Sequence, residues 1–93
     1  MDDDALRDKA RELIRTGRLP DRSPKSVWGG TSRGEAPCML CGQPLRREDV
    51  FLEIELRRPD GSTYPQLHVR CFSAFEQALH DPGGTPTHPA TPI

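Results

Sequence analysis

Apolar positions recur along this chain in three different rhythms, and each rhythm predicts an element. Leu6, Ala10, Leu13 and Ile14 follow the i, i+4, i+7, i+8 spacing of one helical face, with Arg7, Arg11, Arg15 and Arg18 on a neighbouring stripe. A helix is expected from an N-cap at Asp4 to about Thr16. Aspartates lie at its positive end and Gly17 is placed to stop it. So short a helix is marginal alone and needs a core to dock on. Further on, DVFLEIELRR alternates: Val50, Leu52, Ile54 and Leu56 face one way, and Phe51, Glu53, Glu55 and Arg57 the other. PDGS then supplies a turn, and STYPQLHV a second strand whose Pro65 suits an edge or bulge. Phe51, on the polar face of this hairpin, is expected to cover the N-terminal helix or the segment after it. The third rhythm, Phe72, Phe75 and Leu79, predicts a helix from about Arg70 to His80 against the apolar side of the hairpin.

The remaining segments read as irregular. Pro20, Pro24 and Pro37 with three glycines exclude a long regular element over residues 18–37. Trp28 stands out there, either as an anchor pinning the connector to the following module or as an exposed stacking or partner-binding side chain. The glycines match no phosphate-cradling spacing, neither G-x-G-x-x-G after a strand nor G-K-[ST]. Residues 81–93 carry four prolines and three threonines and are expected to be a disordered tail, with His88 a solvated side chain.

Composition explains why such a chain needs assistance. Hydrophobic residues are 33% of 93 positions and charged residues 29%, with ten prolines and eight glycines, so little of the chain can join a core. The usual aids at this size are disulfides, a metal or a partner chain. The formal charge is -1, but residues 5–33 hold eight basic side chains against three acidic ones. Acidic partners are conceivable there, through Arg7, Arg11, Arg15 and Arg33 with Trp28. There is no long apolar run, so neither a secretory leader nor a membrane span is expected, and a reducing cytosol is the expected setting.

The three cysteines decide among the aids. An odd count disfavours a fully paired disulfide framework, whereas C-x2-C at Cys38 and Cys41 followed by H-x2-C at His68 and Cys71 uses every cysteine and adds a fourth ligand. Gly42 suits the tight turn of a metal knuckle. Three sulfurs and a nitrogen select one Zn2+, and four protein ligands leave no position for substrate water, so the expected role is structural. The competing readings are a redox C-x2-C pair, for which the surrounding strand and helix pattern is too small, and His68 as an ordinary strand histidine. His80 is the rival ligand but lies too far along its helix.

Knuckle, hairpin and ligand-bearing helix together resemble the treble-clef zinc fingers over about residues 37–80. R-L-P, W-G-G, C-x-x-C-G and H-x-R-C-F-x-x-F-E resemble small bacterial zinc-binding proteins. The likeness implies a small α+β architecture: helix 1–17, connector 18–36, zinc module 37–80 and tail 81–93. It implies no mechanism. Two functions compete. One is a non-enzymatic protein-interaction or regulatory adaptor, with a protein partner or a homodimer engaging the N-terminal helix and Trp28. The other is a DNA- or RNA-binding module whose arginines meet phosphates. No small-molecule substrate is expected.

Overall fold

In a computed structural model the described residues are 2–34 and 36–80, and the expected tail lies outside them. The first helix, α1, runs Asp3–Arg15 and is capped by Asp2, whose Oδ1 accepts the Ala5 N–H at 2.8 Å. The cap is therefore two residues earlier than the expected Asp4, and Asp3 and Asp4 fall in the first turn, against the positive end of the dipole. At the other end Gly17 takes φ +80°, and the Leu13 carbonyl accepts from both Arg18 and Leu19. This left-handed stop turns Leu19 back into the core.

The connector corrects the sequence reading. Val27–Thr31 forms a strand, β1, paired antiparallel with β2, Val50–Ile54. The expected hairpin is present, but each arm is interrupted. Its outer part is β3, Leu56–Arg58, with β4, Gly61–Thr63; its inner part is β2 with β5, Gln66–His68. The break falls at Glu55 on one arm and Tyr64–Pro65 on the other. Pro65 has no N–H to donate, but its carbonyl accepts from Ile54 at 3.2 Å. The three-stranded sheet has the order β1-β2-β5.

β2 begins on a strained corner. Ser32, just after β1, donates its N–H to Asp49 O and accepts the Glu48 N–H, so two residues oppose one in a bulge, with Glu48 at φ +73°. The Ser32 hydroxyl is buried; it donates to Leu45 O at 3.0 Å and accepts from the Gly34 N–H at 2.9 Å. Beyond the bulge Phe51 lies against β1 as expected, and a Cβ at Gly30 would sit 2.9 Å from its ring.

The second helix, α2, runs Val69–His80 and forms the middle layer, with α1 on one side and β5 and β2 on the other. Its buried residues are Cys71, Ala74, Phe75 and Ala78. Phe72 and Leu79 are only partly buried, so the inward stripe is rotated from the expected Phe72, Phe75, Leu79 set. The small residues Ala10, Ala74 and Ala78 lie in the core where the two helices pack. Leu6, Leu13, Leu19, Leu40, Leu45, Ile54, Leu67 and Phe75 supply its bulk. No helix packs against β1 among the described residues. Val50, expected on the buried face, is accordingly 59% exposed, while Ile54 and Leu67, under α2, are fully buried.

Candidate metal centre

Residues 37–44 form a closed knuckle. Pro37 and Pro44 bridge its base, Cys38 N–H donates to Gln43 O at 2.9 Å, and Gly42 N–H donates to Cys38 O at 3.0 Å. The turn requires φ +77° at Gly42, a conformation glycine adopts without Cβ strain. Cys38 is buried and Cys41 half-buried on this turn. Met39 N–H donates to Gln66 O at 2.9 Å, which ties the knuckle to β5 two residues before His68. His68 closes β5 and Cys71 lies in the first turn of α2, so the second pair of donors is fixed by one strand-to-helix junction.

The four side chains expected from the sequence come together. One sulfur each from Cys38, Cys41 and Cys71 and a ring nitrogen of His68 all lie within 4.8 Å of one another and can hold one metal ion. All three cysteines are free thiols. His68 Nδ1 faces the sulfurs, 3.5 Å from Cys41 Sγ and 3.9 Å from Cys71 Sγ. His80 is not a member of the cluster. A cleft of about 440 Å³, lined by Leu6, Cys41, Gln43, His68, Arg70 and Cys71, opens over the donors.

Without a cation, the site favours the neutral thiol at Cys71. Burial, and then the neighbouring Cys38 and Cys41 side chains, push the Cys71 thiol far above its ordinary range. The positive end of α2 favours the thiolate, but by itself it does not offset those opposing effects. A divalent ion among the sulfurs reverses the balance.

One residue beside the site had no signal in the sequence. Asp49 Oδ2 accepts the Arg46 N–H at 2.9 Å in the turn before β2, and lies 4.0 Å from His68 Nε2. It therefore stands on the side of the imidazole opposite the thiols, where a carboxylate favours the tautomer that leaves Nδ1 open to a metal. Only the pairing of β2 with β5 brings it there.

The residues considered for partner binding do not form one surface. Arg7 pairs with Asp4 and donates to Gln77 Oε1 at 2.9 Å; Arg11 pairs with Asp8 at 2.6 Å and Arg15 with Glu12 at 2.5 Å. Each is matched by an acid one turn away on α1. Trp28 and Arg33 belong instead to the far end of the molecule's layers, on and just after β1. Trp28 is 46% exposed, and its ring meets that of Tyr64, in the module after the connector, edge-on at 6.2 Å. Arg33 is exposed.

The chain matches no protein-family model, and comparisons with curated proteins and with solved structures return no match.

Proposed function

We propose that this chain is a non-enzymatic protein-interaction module, a treble-clef-like fold held by one structural Zn2+ on Cys38, Cys41, His68 and Cys71. The observation that carries the metal assignment is the spacing of the donors. Thiolates at about 2.3 Å and an imidazole at about 2.0 Å from a tetrahedral ion stand about 3.8 Å apart for two sulfurs and about 3.5 Å for sulfur and nitrogen. The Cys41 sulfur-to-nitrogen separation of 3.5 Å matches the second value, and the Cys71 separation of 3.9 Å lies slightly above it. Three soft donors and one borderline donor suit zinc, and saturated coordination suits a structural ion. Free thiols suit a reducing compartment such as the cytosol. Native mass measurement should find one zinc per chain, and Cys38→Ser should lose it. A metal-free, disulfide-linked mass would refute the assignment.

The interaction reading is supported by the exposed Trp28 and Tyr64 pair at an apolar strand that no helix covers among the described residues. The nucleic-acid reading is weakened by the acids that match Arg7, Arg11 and Arg15, because phosphates compete with partners already in place. Affinity capture from the native lysate with the wild-type chain and with Trp28→Ala should differ by a specific protein band. Identical captures would refute the interaction surface.

A further inference from the structure

The open edge of β1 is built to accept another strand. Ser32 exchanges hydrogen bonds with the start of β2, so by the alternation of an antiparallel ladder Gly30 and Trp28 also point their backbone groups inward. The N–H and C=O groups of Val27, Gly29 and Thr31 point the other way, and all three residues are exposed. Natural edges are commonly blunted by charge, proline, a bulge or a covering element. β1 has no charged residue or proline between Val27 and Thr31, its bulge lies beyond its end, and among the described residues no helix reaches it.

Two further observations say what covers it. Gly30 is required by the Phe51 ring, but Gly29 is not: a Cβ there would meet nothing nearer than Leu52 Cδ2 at 3.8 Å, an ordinary contact. Packing within the chain leaves Gly29 unexplained, whereas close approach by another chain explains it. The strand is also framed by Lys25 and Arg33, which are exposed and form no ion pair among the described residues, in contrast to the compensated arginines of α1. Two copies pairing antiparallel about Gly29 would set Lys25 against Arg33, like charge against like charge. The edge fits a different sequence.

We infer that β1 binds an extended segment of a partner protein by strand addition, and that this segment has small or apolar residues at its centre and an acidic residue at each end. The backbone groups of Val27, Gly29 and Thr31 supply affinity, and Lys25 and Arg33 supply register and choice of partner. The inference rests on reading the chain as a protein-interaction module and names the partner's chemistry.

The test uses the zinc-loaded full chain and a capped nine-residue peptide of alternating threonine and valine with a glutamate at each end. Amide exchange followed by NMR should show new protection at Val27, Gly29 and Thr31 only, since Trp28 and Gly30 are already bonded. A peptide with lysine at each end should bind about tenfold more weakly, the swing expected from two exposed ion pairs becoming two repulsions. Gly29→Pro removes an outward N–H that bonds nothing among the described residues, so it should keep the zinc content and abolish peptide protection. Should that variant misfold, Lys25→Glu with Arg33→Glu should reverse the preference between the two peptides. No protection at those three amides with about 1 mM glutamate-flanked peptide would overturn the inference. So would their protection in a dimer of the chain alone, or peptide binding that ignores the terminal charges. A capture band lost with Trp28→Ala but kept with Gly29→Pro would overturn strand addition and leave the interaction module standing. Captures unchanged by both would overturn the two together.

Discussion

Removal of the metal should unfold both helices at once. The core holds few large side chains, with Phe75, Leu19, Leu40, Leu45, Ile54 and Leu67 the bulkiest of those fully buried. A domain of this size has a net stability of about 5–15 kcal/mol. Zinc binding at small structural sites is worth about 10–16 kcal/mol, an amount as large as that whole net stability. The metal's ligands are also placed where its loss spreads. Cys71 lies in the first turn of α2, and among the described elements α1 packs on α2 alone. A chelator in the presence of reductant should therefore abolish the helical circular dichroism of α1 together with that of α2, and one equivalent of zinc should restore it. Cys71→Ser should behave like the chelated protein, and His80→Ala like the wild type. A chelated, reduced chain that still melts cooperatively within about 5 °C of the loaded one would limit the metal's contribution to about 1 kcal/mol and refute this reasoning.

Gly30→Ala should destabilise the fold by about 1–3 kcal/mol, because its Cβ meets the Phe51 ring at 2.9 Å, whereas Gly29→Ala should be neutral or stabilise by up to about 1 kcal/mol; paired urea melts compare them. Glu48→Gly should raise stability by about 1 kcal/mol in the same assay, since it relieves a side chain held at φ +73°. Zinc affinity should fall as pH falls. The bound state needs three thiolates, and the metal-free, unfolded chain keeps its thiols protonated below their ordinary pKa of about 8.5, so the stabilisation by metal is present at higher pH and lost on acidification. Competition titrations between pH 8 and 6 should show a loss of up to about tenfold per thiol per pH unit. Asp49→Asn should lower zinc affinity about tenfold, and the stability of the loaded protein in a melt by the corresponding ~1.4 kcal/mol, while still binding one zinc per chain, as expected of a group that orients His68 from outside the donor set.

The metal cluster was legible because ligand chemistry is local: two short spacings, C-x2-C and H-x2-C, each lie within one turn of backbone, and only the hairpin between them had to be inferred. Helix α1 was legible from its apolar stripe, but its first residue was not, because Asp2, Asp3 and Asp4 are equally competent caps. Strand β1 was missed since V-W-G-G-T reads as a glycine break, and glycine is tolerated in an edge strand for a reason that only its neighbour reveals, the Phe51 ring. Val50 and the rotated stripe of α2 were misassigned for a shared reason. Alternation tells which residues share a face, but not how far a helix extends across that face.

The packing of α1 against α2 also sets an order of events during synthesis. Among the described elements, the earliest in chain order, residues 3–15, packs only on the latest, residues 69–80. As the chain leaves the ribosome, the N-terminal stripe of Leu6, Ala10 and Leu13 must wait in water, or on a chaperone, until Cys71 has emerged and can share a metal with Cys38 and Cys41. Metal capture and closure of the longest-range contacts would then coincide, so the supply of a suitable metal ion at the moment of release should govern how much of the chain escapes aggregation.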